Sequence, residues 1–172
     1  VEAHTFTFVK LVEGFQWSHP ATANYIDAQV HAKLRELQFL PSGLCSDNDF
    51  VRRVHLDVTG RLPTLAETRA FLADIRDDKR ARLIEELLAR PEYATFWAQK
   101  WGDLLRLEPG KVTAAGTHKY YQWLVQAFAN NLPYDRFTRA LLTANGSTFT
   151  HPPANYYRTA KDTNDAMETT SQ

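Results

Sequence analysis

The sequence predicts a compact, mostly α-helical domain of about seven helices with a short extended arm at its N-terminus. Apolar residues recur at intervals of three and four along residues 21–172, and Gly, Pro and Asn interrupt this pattern between segments of helical length. Residues 4–9 instead alternate between polar and apolar side chains, which is the period of a β-strand. We therefore divide the chain into an extended arm over residues 1–20 and a helical domain over residues 21–172.

The arm carries two aromatic residues, Phe15 and Trp17, between the predicted strand and Pro20. An isolated strand is only marginally stable. These rings therefore either cover the core of the helical domain or contact a partner protein. Together with Trp123, which lies on a later predicted helix, they are the candidates for partner-facing residues.

The stretch over residues 46–72 predicts two helices and the corner between them, and the rest of the chain is organised around it. Ser46 and Asp49 have the spacing of a helix N-cap, and Gly60 is expected to end the first helix. Thr64 and Glu67 have the spacing of a capping box, so a second helix should begin there.

The first of these helices should bury one face. Phe50, Val54 and Val58 recur every four residues, whereas Arg53 lies within about one turn of Asp49. His55 lies close to the apolar stripe, and we interpret it as a polar residue at the edge of the core.

Pro91 is expected to open the most aromatic helix, because proline is favoured at the first helical position. Tyr93, Trp97, Trp101 and Leu105 follow at steps of four and form one stripe. Such a stripe fills a core, faces a partner or a haem, or stacks on a sugar, and the core role is the most common.

Asp103 and Arg106 flank this stripe. Arg106 and Asp57 are the candidates for a buried pair, which would be structural and not catalytic. Residues 149–157 contain two prolines and should be extended, and a last short helix is expected over residues 162–172. The expected core residues are Ile26, Val30, Leu34, Phe50, Val54, Leu72, Leu87, Trp97, Trp101, Leu104, Leu124 and Phe128.

Composition excludes few functional classes. The 20 basic and 20 acidic residues cancel, which argues against a general nucleic-acid binder. No apolar run is long enough to span a membrane. The sequence also has no phosphate-binding loop, no His-x-x-x-His pair and no nucleophile elbow, and its six histidines are scattered singly. The residues therefore predict no catalytic, cofactor-binding or metal site. This favours a non-catalytic role and leaves open whether the chain is an enzyme.

Four segments together resemble the planctomycete cytochrome-associated domain known as PSCyt2 or DUF1549. They are FVRRVHLDVTGRLPTLAETRAFL, DKRARLIEELLARPEYATFWAQKWGDLLR, NNLPYDRFTRALLTANGSTF and the final ETTSQ. The resemblance covers about residues 24–172. In that family His55 is more often a tyrosine, and the chain usually continues into a Cys-x-x-Cys-His haem attachment motif.

The resemblance implies an extracytoplasmic location, periplasmic or at the cell surface, and a setting in electron transfer. The present sequence has a single cysteine, Cys45, and no haem attachment motif, so we expect no haem attached to these residues. A c-type haem is instead expected in a partner protein or in a longer form of the polypeptide.

Three functional hypotheses follow. The first is a non-catalytic accessory or scaffold module that associates with a c-type cytochrome or a larger, membrane-bound redox complex. The second is a cell-surface module that binds polysaccharide or protein through exposed aromatic residues. The third is an enzyme that degrades an extracellular polymer, for which the sequence offers carboxylates but no placed pair. We favour the first.

Overall fold

The computed structural model describes residues 11–160 and 162–171, and 62% of the chain is helical. Within the described residues there are nine α-helices and no strand, so the mostly α fold class is confirmed. The predicted strand over residues 4–9 lies outside the described residues. The chain separates into two units, Val1–Cys45 and Ser46–Gln172. The predicted division at residue 20 stays a prediction.

Over residues 11–45, the first unit contains one helix, α1 (Tyr25–Glu36). Asn24 caps it, because its side-chain oxygen accepts hydrogen bonds from the backbone N–H groups of Ile26 and Asp27 at 2.8 and 3.1 Å. The rings of Trp17 and His31 make an edge-to-face contact, with their centroids 6.1 Å apart.

The second unit contains the other eight α-helices. They are α2 (Asp47–Thr59), α3 (Leu65–Ala73), α4 (Lys79–Leu88), α5 (Pro91–Leu104), α6 (Ala114–Ala129), α7 (Tyr134–Leu142), α8 (Tyr156–Thr159) and α9 (Thr163–Ser171). A short 3-10 helix, Pro152–Asn155, precedes α8. The predicted extended conformation of residues 149–157 is therefore wrong over its second half, because a proline pair is compatible with the first turn of a helix.

Helices α2, α3 and α4 enclose the first of two hydrophobic clusters. Its buried members are Val51, Val54, Phe71, Leu83 and Leu87. Asp47 joins the start of α2 to the start of α4 through ion pairs with Lys79 at 2.6 Å and Arg80 at 2.7 Å. Hydrogen bonds from Lys79 and Arg80 lower the pKa of Asp47.

The second cluster lies among α5, α6, α7 and α8, and α5 packs most extensively against α6. Tyr120 and Leu124 of α6 are completely buried in it. Phe137 of α7 is also buried, and it contacts the rings of Trp101 and Trp123 at centroid distances of 5.1 and 5.2 Å. Burial strongly raises the pKa of Tyr120, because a phenolate would lose its hydration there.

The helix ends around the α2–α3 corner follow the predicted signals. Ser46 caps α2, and Gly60 ends it in the left-handed conformation with φ of 68°. Thr64 and Glu67 form the capping box of α3, with the Thr64 N–H donating to Glu67 Oε2 at 2.7 Å. Pro91 occupies the first turn of α5.

Burial corrects part of the expected core. Val54, Leu87 and Leu124 are buried, and Leu34, Phe50, Trp97, Trp101 and Phe128 are partly buried. Ile26, Val30, Leu72 and Leu104 are exposed by 56, 49, 40 and 66%, so these four predictions are wrong. Phe71 and Leu105 are buried instead of their neighbours Leu72 and Leu104. Successive residues of an α-helix are rotated by about 100° about its axis, so two adjacent apolar residues face different sides.

Among the described residues, none of the helices combines the length and hydropathy needed to cross a bilayer.

Candidate partner-binding site

Two neighbouring clefts on the second unit share the side chains of Trp101, Tyr134 and Phe137. One has a volume of about 250 Å³ and the other about 400 Å³. We call the two clefts together the aromatic groove. Leu104 and Leu142 line its larger part, where their side chains are 66 and 42% exposed.

The groove is formed where the end of α5 meets the start of α7. Trp101 contacts Phe137 on one side and Tyr134 on the other, at centroid distances of 5.1 and 6.1 Å. Pro133 directly precedes α7 and lines the smaller cleft together with Asn131, whose positive φ of 46° turns the chain after α6. The turn thereby brings Tyr134 against Trp101.

Tyr134 is the most exposed ring of the groove, with 69% of its surface accessible. It is three residues before Phe137, so the two rings lie on the same side of α7. Phe137 is buried and holds this part of α7 against α5, whereas Tyr134 extends past the edge of the cluster. The groove therefore has a packed floor and an exposed apolar rim.

The predicted partner-facing residues do not meet in this groove. Phe15 and Trp17 are partly buried in the first unit. Trp123 is partly buried in the second cluster and stacks on Phe137 with an interplanar angle of 23°. Of the predicted stripe, Tyr93, Trp101 and Leu105 line the groove.

The predicted structural charges have other positions. Arg106 lines the larger cleft and donates from Nη1 to Asp165 Oδ1 of α9 at 2.9 Å. Its side chain is 37% exposed, so this pair is not buried. Arg53, Asp57 and Asp103 are exposed. The expected buried pair of Arg106 and Asp57 is therefore wrong.

A separate cleft of about 160 Å³, which we call the polar cleft, lies beside the α2–α3 corner. His55, Glu67 and Arg90 line it, and the His55 side chain is only 2% exposed. The Glu67 carboxylate accepts hydrogen bonds from the Thr64 N–H and from Arg90 Nη1, the latter at 2.6 Å. The Thr64 N–H is the main cause of a Glu67 pKa of about 2, and Arg90 lowers it further.

This low pKa limits the chemistry of the polar cleft. The general acid of a glycosidase needs a raised pKa, so that it is protonated near neutral pH. Glu67 has the opposite shift. Within the described part of the chain, no three His, Cys, Asp or Glu side chains are close enough to hold a metal ion.

Glu67→Gln is expected to reduce the free energy of unfolding by about 1–2 kcal/mol at neutral pH. The wild-type carboxylate has a lower pKa folded than unfolded, so its contribution is present above about pH 4.5 and is lost as the pH falls towards 2. Solvent screens this partly exposed carboxylate, so the expected loss of stability is smaller than the pKa shift alone would give. Glutamine also fits a capping box, so the variant tests mainly the charge.

Urea unfolding at a series of pH values measures this effect. Wild type and Glu67→Gln should converge in stability between about pH 4.5 and pH 2. The exposed Glu85→Gln on α4 is the control and should stay within about 0.5 kcal/mol of wild type throughout. A difference that is constant with pH would contradict the low pKa of Glu67.

A family model for PSCyt2, described as a protein of unknown function (DUF1549), matches residues 25–172 of the chain. The chain belongs to this family. No curated protein and no solved structure matches it.

The PSCyt2 match begins at Tyr25, the first residue of α1, and so includes every helix described above. The residues that line all three clefts lie inside the matched region. The aromatic groove and the polar cleft are thus part of the family domain.

Sequence reasoning missed the groove, although it identified Trp101. Leu104 is among the expected core residues, and Tyr134 is not among the candidates for partner-facing residues. The one available signal was the helical spacing of Tyr134, Phe137 and Leu141 directly after Pro133. That spacing predicts an apolar face but not which end of it stays exposed.

Proposed function

We propose that this chain is a non-catalytic helical module that binds a partner protein carrying c-type haem, within an extracytoplasmic electron-transfer assembly. The observation that carries the proposal is the exposed apolar rim of the aromatic groove. Leu104, Tyr134 and Leu142 lie on this rim around Trp101. Large apolar side chains that are exposed side by side mark interaction sites on proteins.

The composition of the groove suits a protein partner. Aromatic residues are enriched at the centres of protein interfaces, and charged residues are depleted there. The larger cleft contains one charged residue, Arg106, which already pairs with Asp165.

The choice of a haem protein as partner rests on the family. The name PSCyt2 is related to cytochromes, and the resemblance noted above places such domains next to haem attachment motifs. The haem would belong to the partner or to a longer form of the polypeptide. The extracytoplasmic location has the same basis.

Binding of a polysaccharide is the alternative with an observation in its favour. Tyr134 presents an exposed ring in a cleft, and such rings stack on sugars. Trp123 suits this role less well because it stacks on Phe137. A glycan screen distinguishes the alternative from the proposed function.

Affinity capture from the source organism tests the proposal, with mass spectrometry and a visible absorption spectrum of the eluate. We expect wild type to retain an identified haem-bearing protein in stoichiometric amount. The variant Leu104→Lys with Tyr134→Ala should bind that protein at least about tenfold more weakly, as residues central to an interface do.

Leu88→Lys is the matched control, because Leu88 and Leu104 are the last residues of α4 and α5 and both are exposed. It should bind the haem protein like wild type. An eluate without haem absorbance would overturn the proposal. Saturable glycan binding that is lost in Tyr134→Ala would replace it with the alternative.

A further inference from the structure

The polar cleft shares no lining residue with the aromatic groove, and it contains a buried polar atom without a hydrogen-bond partner. This atom is Nε2 of His55, on a side chain that is only 2% exposed. A buried group left in this state costs about 1–3 kcal/mol, so it requires an explanation.

The other ring nitrogen determines what Nε2 needs. His55 Nδ1 lies 2.8 Å from the carbonyl oxygen of Val51. A carbonyl oxygen only accepts hydrogen bonds, so Nδ1 must carry a hydrogen and donate it. In the neutral ring, Nε2 is then an acceptor, and it belongs to a residue that lines the cleft.

Glu67 places a second acceptor opposite the first. Its Oε1 lies 3.9 Å from His55 Nε2, and the low pKa of Glu67 keeps the carboxylate ionised. Arg90 donates to the same Oε1, but a carboxylate oxygen accepts more than one hydrogen bond. Two acceptors therefore face each other across a gap that a single atom, about 2.8 Å from each, would bridge.

We propose that the polar cleft binds a primary ammonium group, which donates one hydrogen to His55 Nε2 and another to Glu67 Oε1. A hydrogen bond between an ammonium and a carboxylate is charge-assisted and stronger than one from a neutral donor. The cleft also contains Glu92, whose Oε1 accepts from Arg61 Nη1 at 2.9 Å.

Size favours a ligand over a single water. The cleft has about 160 Å³, whereas one water occupies about 30 Å³. A small amine and the end of a lysine side chain both carry the required group. The free amine and the lysine side chain differ in the length of the alkyl chain attached to the nitrogen.

The test uses the full chain and nitrogen NMR of the His55 ring. Without amine, we expect Nδ1 to carry a hydrogen, as its contact with the Val51 carbonyl oxygen requires. Methylammonium chloride should shift the Nε2 signal in a saturable manner. Tetramethylammonium chloride, which has the same charge but no N–H group, should leave it unchanged at the same ionic strength.

Variants assign the effect to the cleft. Glu67→Gln should weaken methylammonium binding about tenfold, because it removes the charged acceptor. His118→Gln is the control, since His118 is exposed on α6 and should not alter binding. A lysine derivative blocked at its α-amino and carboxyl groups identifies the source, because at least tenfold tighter binding than methylammonium would indicate a protein side chain.

Three results would overturn the proposal. Equal shifts with both salts would show a general salt effect. The absence of a saturable shift would leave a water as the bridging donor. A ring protonated at both nitrogens near neutral pH would mean that His55 itself donates to Glu67.

Discussion

Val54→Asp is expected to unfold the second unit or to reduce its free energy of unfolding by more than about 4 kcal/mol. Val54 is 8% exposed and lies in the cluster of α2, α3 and α4 with Phe71 and Leu87. An aspartate there would either bury an unpaired charge or open the cluster to water. Domains are stable by only about 5–15 kcal/mol, so one such change removes much of the total.

Thermal unfolding, monitored by circular dichroism, measures the effect of Val54→Asp. Ile75→Asp is the matched control, because it makes a comparable change at a side chain that is 96% exposed. The control should stay within about 0.5 kcal/mol of wild type. A wild-type melting temperature for Val54→Asp would show that α2 does not bury this face.

Gly60→Ala is expected to reduce the free energy of unfolding by about 2–5 kcal/mol through two effects at the α2–α3 corner. The residue has φ of 68°, a conformation that costs a residue with a Cβ about 1–2 kcal/mol. A Cβ at this position would also overlap the ring of Phe96, and such overpacking adds about 1–3 kcal/mol. Both effects disfavour the folded state.

Gly146→Ala separates the two causes. Gly146 has a similar φ of 83°, but no atom lies within 4 Å of the position its Cβ would take. Gly146→Ala should therefore reduce the free energy of unfolding only through the unfavourable φ, by about 1–2 kcal/mol. Equal losses for the two variants, measured by urea unfolding, would show that Phe96 moves aside without cost.

The two proposed sites differ in how much of them the sequence revealed. Trp101 was identified as part of an aromatic stripe whose role stayed open between core and partner surface. It has both roles in the structure, since it packs against Phe137 and lines the groove. His55 is expected at the edge of the core, whereas the structure buries it at a position where it lines the polar cleft.

Two of the four mistakes in the predicted core, Leu72 and Leu104, have one physical origin. Leu72 and Leu104 are as apolar as Phe71 and Leu105, and each lies next to its buried neighbour in the chain. Which member of such a pair is covered depends on where the facing helix lies. Periodicity alone does not contain that information when apolar residues are adjacent.

The sequence by itself determined the helical fold class, the family and the helix ends around the α2–α3 corner. Those ends depend on side chains and amides within about one turn, as in the capping box of Thr64 and Glu67. The tertiary structure alone decided that Arg90 reaches Glu67 across 23 residues, that Glu67 faces His55, and that Tyr134 stays exposed beside Trp101. Such contacts join separate helices, and their geometry follows from how whole helix faces pack together.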